Sequence, residues 1–176
     1  MSVEPYRAYH PQIAPSAYLH HTACVIGQVR IGEDSSIWPY CVLRGDVEAI
    51  DIGSGTNIQD GTIVHTTHAG PYTADGHATS VGNQVTIGHR CILHACTIED
   101  LAFVGMNTTI LDQAIIRSGA MIGANSLITS GQDIEGGYLW LGQPARKIRL
   151  LTSEEQAAIR YSAEHYSRVA QSYDTQ

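Results

Sequence analysis

The sequence is short of positive charge: ten Lys and Arg against 17 Asp and Glu give a net charge of −7. That leaves no basic footprint for nucleic acid or for an anionic membrane surface. Long apolar runs are absent too, and nothing approaches the roughly 18 consecutive apolar residues of a membrane span. The first residues, MSVEPYRAYHPQ, lack the charged-then-apolar order of a leader. Cysteine is sparse. Cys24, Cys41, Cys91 and Cys96 show no CxxC spacing, which argues against a thiolate metal site and for four reduced thiols. A cytoplasmic protein is therefore the expectation. Aromatic packing material is thin as well, with one Phe in 176 residues.

What the chain has instead is glycine, 17 of them, and β-branched aliphatics at a fixed interval. Ile13, Leu19, Val25, Ile31, Ile37 and Leu43 are six apart, as are Ile52, Ile58 and Val64 after a three-residue insertion. Val81, Ile87 and Leu93 follow a longer insertion. One residue is then skipped, and Ile98, Val104, Ile110, Ile116, Ile122, Ile128 and Ile134 complete the series. The next position is often Gly (Gly32, Gly53, Gly82, Gly88, Gly105, Gly123). The fourth position on is small: Ala17, Ala23, Ser35, Thr56, Thr62, Thr97, Ala102, Thr108, Ala114, Ala120 and Ser126.

This is the hexapeptide repeat of a parallel β-helix, an all-β solenoid. Each unit is a short strand and a corner, and three units make one coil of a triangular prism. The aliphatic points inward, the small residue fits the corner, and coils stack about 4.8 Å apart. The repeat is expected to stop between Ile134 and Trp140, in an exit loop marked by Gly136, Gly137, Gly142 and Pro144. Residues 1–150 are thus one β-helix domain with its exit loop. Residues 151–176 are expected to form a C-terminal α-helix packed along the prism. It opens with a capping box, Thr152 with Glu155, and carries Ile159, Ala163, Tyr166 and Ala170 on one face.

Face assignment is then arithmetic. His65 and His94 each follow an aliphatic of the same face by one residue, in successive coils, so they stack close enough to share a metal. Arg44 belongs to that ladder one coil earlier. His89 follows Ile87 by two, beyond a corner and on another face, with Asp60 one coil below it. Its third bond to the same metal is easiest from a neighbouring chain. Three prisms about a threefold axis would then make three His₃ sites between subunits. Neutral imidazoles suit Zn²⁺, or Fe²⁺ or Co²⁺, and an open fourth position would make the site catalytic. His20, His21, His68 and His77 read singly as solvated residues, and Cys91 and Cys96 as core or corner filling.

The stretches WPYCVLRGD (38–46), TNIQDGTIVH (56–65), VTIGHRCILHACTI (85–98), VGMNTTILD (104–112) and YLWLGQPARKIR (138–149) resemble the gamma-class carbonic anhydrase family over nearly the whole chain. The resemblance implies a left-handed β-helix and a homotrimer, with zinc or iron held by His65 and His94 of one subunit and His89 of the next. It implies an Arg44–Asp46 pair at the interface, which on its own could equally be an oligomer salt bridge without a catalytic part. It places Asn57, Gln59 and Asp60 around the metal pocket, Gln59 holding hydroxide or substrate and Asp60 orienting it. It brings Tyr166 of the C-terminal helix to the pocket, where helix-to-prism packing is the competing role. The implied activity is reversible hydration of CO₂ to bicarbonate by a metal-generated hydroxide. The family's shuttle glutamates are missing: Val47 follows RGD, and the loop THAGPYTADGHATS (67–80) has none. His68, Asp75 and His77 are the candidates left, so slow turnover is expected. Two other readings share the fold: a CoA-dependent acyltransferase or thioesterase with one histidine base, and a catalytically silent metal-binding scaffold.

Overall fold

The computed structural model describes residues 2–174, apart from the side chain of Asp174. Met1 and residues 175–176, ends of the two expected segments, lie outside the described residues. The chain winds into a left-handed parallel β-solenoid with one C-terminal helix. Three walls form, and all neighbours within a wall are parallel apart from one closing hairpin. Wall A includes Ile63–His65, Ile92–His94, Thr109–Ile110 and Leu127–Ile128. Wall B includes Thr79–Val81, Thr97–Ile98, Ile115–Ile116 and Asp133–Ile134. Wall C runs from Tyr18–Leu19 through Ser36–Ile37, Asn57–Ile58, Thr86–Ile87, Phe103–Val104 and Met121–Ile122 to Tyr138–Gly142. Two longer strands, Cys24–Ile31 and Val42–Ile52, bend from wall A into wall B and join them.

The register matches the six-residue count. Val64 pairs with Leu93, Ile58 with Ile87, and Val81 with Ile98. The aliphatics from Val25 to Ile134 fill the prism as one continuous buried row. Most corners from Ile31 onward turn through a left-handed residue three after the aliphatic, whatever its side chain: Tyr40 (φ 60°), Arg90 (φ 60°), Asn107 (φ 59°) and Asn125 (φ 59°) among them. The glycines directly after the aliphatics answer a different need. A Cβ on Gly53 would lie 2.5 Å from the Gly82 carbonyl carbon one coil on. Corner hydroxyls bond between coils, as Thr56 Oγ1 donates to Gly82 O at 2.7 Å and Thr62 Oγ1 to Gly88 O at 3.1 Å. Among the described residues no buried side-chain N or O lacks a partner, which a core this dry requires.

Two expectations are corrected. The skipped residue shortens the corner after Leu93, so its left-handed residue comes two later, at Ala95 (φ 49°). Cys96 therefore takes the inward corner place, and Thr97 is exposed. The exit loop is a strand pair. Trp140, six after Ile134, aligns with Ile122 as a further rung of wall C, and Ala145–Leu150 folds back antiparallel on Tyr138–Gly142. Gly and Pro there punctuate a hairpin, with a cis Gln143–Pro144 bond at its turn.

Helix α1 (Ser153–Asp174) lies against wall C. Its capping box is closed both ways: Thr152 N donates to Glu155 Oε2 at 2.9 Å, and Glu155 N to Thr152 Oγ1 at 3.2 Å. Ile159, Ala163 and Ala170 are buried beneath it. Tyr166 and Val169 pack on Tyr18 and Trp38. Among the described residues no helix is long and apolar enough to cross a membrane.

Candidate functional site

His65 and His94 are register partners on wall A, so the parallel ladder alone sets their separation. Their rings lie 5.3 Å apart, and His65 Nδ1 is 3.3 Å from His94 Nε2. Each ring's other nitrogen meets a carboxylate: His65 Nε2 is 3.1 Å from Asp46 Oδ1, and His94 Nδ1 is 2.7 Å from Asp112 Oδ1. Asp46 reaches His65 because of the three-residue insertion. The register jumps from Gly27↔Gly45 to Val29↔Ile50, so residues 46–49 bulge out of the strand. Asp46 Oδ2 also accepts Arg44 Nη1 at 2.5 Å, within one chain.

The electrostatics favour a neutral His65 imidazole facing an ionised Asp46 carboxylate. Burial lowers the pKa of His65, only partly offset by its bond to Asp46. Burial pushes the Asp46 carboxyl up, but hydrogen bonds from Arg44 and His65 and the Arg44 charge outweigh it and leave it below its ordinary value. Asp112 is depressed in the same way: burial raises it, and the bonds from Thr67 and His94 more than reverse this.

Two carboxylates accepting the protons at His65 Nε2 and His94 Nδ1 leave bare lone pairs on His65 Nδ1 and His94 Nε2. Those atoms face each other at 3.3 Å. Unoccupied lone pairs so placed repel, and a shared proton or a metal ion removes the repulsion. Two nitrogens each about 2.05 Å from a tetrahedral Zn²⁺ lie about 3.3 Å apart. The donor set therefore fits a metal, with a carboxylate behind each imidazole as metal-bound histidines usually have.

His89 sits across the corner from this pair. Its Nδ1 is 2.8 Å from Asp60 Oδ2, the residue one coil below. Among the described residues no three His, Cys, Asp or Glu of one chain converge as a metal cage, so a single chain leaves His89 apart from the pair. Gln59 is buried on wall C and donates from Nε2 to Asn57 Oδ1 at 3.0 Å. Asn57 in turn donates to Thr86 Oγ1, which bonds Ser162 of α1. Tyr166 stands edge-on to Trp38, with ring centroids 5.6 Å apart. Burial, and then the charge of Asp60, raises its pKa. Of the shuttle candidates, His68 and Asp75 are exposed on the loop. His77 pairs by backbone with Thr67 at the loop's base. Among the described residues none of the three bonds to His65, His89 or His94.

Sequence reasoning missed Asp112 and Thr67, whose hydroxyl donates to Asp112 Oδ2. A signal for Asp112 exists. Like Asp60, it stands two after an aliphatic on the wall adjoining a histidine, one coil away.

No family model matches the chain. Protein YrdA of Escherichia coli K12 is 44% identical over 171 residues, covering 97% of this chain and 93% of that protein. A probable carbonic anhydrase of Methanocaldococcus jannaschii is 41% identical, covering 87% and 92%. The mitochondrial gamma carbonic anhydrase 1 of Arabidopsis thaliana is 45% identical over 93% of this chain but only 59% of its own length. Among solved structures, a hexapeptide transferase family protein of Anaplasma phagocytophilum superposes with TM-score 0.91 at 43% identity, covering 98% of both chains. A Bacillus cereus protein described as a putative acetyltransferase gives 0.92 at 37%, covering 99% and 97%. With the solenoid, the aligned histidines and relatives of this similarity along almost its full length, the chain belongs to the gamma-class carbonic anhydrase family.

Proposed function

We propose that this protein catalyses the reversible hydration of CO₂ to bicarbonate at metal sites between the subunits of a homotrimer. The observation that carries the reading is the 3.3 Å gap between His65 Nδ1 and His94 Nε2, each ring backed by its own carboxylate. His65 and His94 of one subunit and His89 of the next would hold Zn²⁺, or Fe²⁺ or Co²⁺. When bound, such a metal acidifies water enough to supply the nucleophile near neutral pH.

The chain's own residues do the rest. Asp46, Asp112 and Asp60 orient His65, His94 and His89. Asp60 therefore acts through His89 before it acts on any substrate. Gln59 is held in one orientation by Asn57, which leaves Oε1 and a second Nε2 hydrogen for a water or substrate oxygen. Tyr166 closes the wall C side from α1. Arg44 holds Asp46 in its bulge, and its charge sits one coil below the histidine pair.

An outward apolar row supports association. Val42, Ile63 and Ile92 stand one before the inward aliphatics on successive rungs of wall A, with Ile63 43% exposed, and Thr109 separates them from Leu127. The row runs between the His89 edge and the His65–His94 ladder, so a neighbour that covers it brings its own edge to that ladder. Slow proton export, with no carboxylate or histidine of the loop bonded to the site, is expected to limit turnover. Burial pushes the thiols of Cys41 and Cys96 up to about 12 and that of Cys91 to about 11.

Stopped-flow CO₂ hydration on metal-loaded protein tests the proposal, alongside metal content after anaerobic purification. Bound metal lost in His65→Ala, together with hydration above buffer, is the expected result. Full metal content in His65→Ala, or in a sedimenting monomer, would overturn it. Acyl transfer is the second reading, favoured by the names of the two solved relatives. Turnover of an acyl-CoA that survives His65→Ala and chelation would establish it instead. Metal bound at full stoichiometry with neither activity would leave a silent scaffold.

A further inference from the structure

We propose that Asp112 is the positioning residue for His94, and that Thr67 locks it, so that the loop at residues 66–78 is tied to metal retention; this rests on the metal reading above. Asp112 follows Ile110, which is the rung above Leu93 on wall A. Its side chain therefore reaches back one coil to the histidine that follows Leu93. Oδ1 accepts a hydrogen bond from His94 Nδ1–H at 2.7 Å, and Oδ2 accepts one from the Thr67 hydroxyl. With one oxygen committed to each partner, the carboxylate cannot turn without losing one of them. His94 is thereby fixed in the tautomer that leaves Nε2 bare, and Nε2 is the atom facing His65.

Thr67 is no loose partner. It exchanges backbone hydrogen bonds with His77, N to O at 3.0 Å and back at 2.8 Å, which closes the base of the loop. Beyond that base the loop runs into solvent, and Tyr72 is fully exposed. The connection is thus loop base, Thr67, Asp112, His94. The other two histidine carboxylates are differently placed. Asp46 is shared with the Arg44 guanidinium, and Asp60 bonds His89 on the far side of the corner. Removing Asp112 should therefore release one ligand of the pair while leaving the backbone ladder that spaces it intact. Losing such a partner typically weakens metal affinity about 10- to 100-fold.

The test measures zinc affinity by competition with a chromophoric chelator, in wild type, Asp112→Ala, Asp112→Asn, Thr67→Val and Tyr72→Phe. Sedimentation of each variant and long-range ¹H–¹⁵N spectra of the metal-free proteins accompany it. Asp112→Ala should lose affinity about 10- to 100-fold, and His94 should change from a single tautomer to a mixture. Asp112→Asn, which keeps an acceptor oxygen, should fall between it and wild type. Thr67→Val should weaken binding less than Asp112→Ala and speed amide exchange at His77. Tyr72→Phe, in the same loop and fully exposed, should bind as wild type does. If wild type binds zinc and His65→Ala abolishes it, but Asp112→Ala binds within about twofold of wild type with its His94 tautomer unchanged, the positioning role is refuted while the metal reading stands. If wild type itself holds no zinc, or His65→Ala holds it equally well, the metal reading falls and this role with it.

Discussion

Mixing two inactive variants distinguishes a metal site shared between chains from one completed within a chain. His89→Ala keeps the His65–His94 pair, and His65→Ala keeps His89; on the proposed reading each alone loses its site. The structure puts the pair on wall A and His89 across a corner, bonded to Asp60. If one chain supplies the pair and the next supplies His89, a site survives where a His89→Ala chain meets a His65→Ala chain in the right order. In a ring of three, every mixed trimer contains one such junction. Random reassembly at equal amounts makes about three quarters of trimers mixed, so about one quarter of all sites should be restored. If all three ligands came from one chain, every chain would carry a defect and nothing would be restored. The assay is metal content and Co²⁺ absorption after joint unfolding and refolding, with each variant refolded alone as control. No recovery in a mixture shown by mass to contain hybrid trimers would refute the argument, as would full metal in His89→Ala alone.

Three further outcomes follow from the packing and the caps. Leu93 is fully buried between Val64 and Ile110 and directly precedes His94; Leu93→Ala should cost about 2–5 kcal/mol in urea unfolding, in proportion to the cavity left. Thr152→Ala removes the hydroxyl that accepts the Glu155 amide; about 1 kcal/mol should be lost, read as fraying of α1 by amide exchange. The Arg149 guanidinium, with the Thr152 amide, holds Glu155 down to about 2 against an ordinary 4.5. A carboxyl depressed in the fold stabilises it above its unfolded pKa, so this contribution is full above pH 4.5 and is lost as pH falls toward 2. Glu155→Gln should lower stability at pH 7, where the contribution is full, and flatten its pH dependence across that window.

The fold was legible because its determinants repeat. Every inward place from Val25 to Ile134 is occupied by an aliphatic at a countable interval, and both insertions and the skipped residue can be read from the count. The His65–His94 pairing followed from that count, since a parallel ladder converts equal offsets into contact. What the count could not supply were diagonal contacts. Asp112 meets His94 by reaching back one coil from two places after its aliphatic rather than one, and Thr67 meets Asp112 through the folded base of an irregular loop. Thr67 and Asp112 are 45 residues apart, no multiple of six, and the 18 between His94 and Asp112 include the skipped residue's shift, which puts the two at different offsets from their aliphatics. Thr97 was misplaced because the shortened corner moves the inward place to Cys96. The closing hairpin was hidden because Gly136, Gly137, Gly142 and Pro144 outweighed the one residue that kept the count, Trp140.

The ladder also explains why a solenoid wall cannot complete such a site by itself. Successive rungs are about 4.8 Å apart, and side chains on two rungs can converge, as His65 Nδ1 and His94 Nε2 do at 3.3 Å. A third rung lies about 10 Å from the first, whereas two ligands of one zinc ion are at most about 4 Å apart. The row bears this out in its composition. Arg44 occupies the rung below His65, and Leu111 follows Ile110 on the rung above His94; neither is a metal ligand. On the proposed reading a third imidazole would come from another surface, since on a straight prism the other surfaces of the same chain face away. His89, five residues from His94 and across the intervening corner, would on that reading serve a neighbour for the same reason that it stands apart from its own chain's pair.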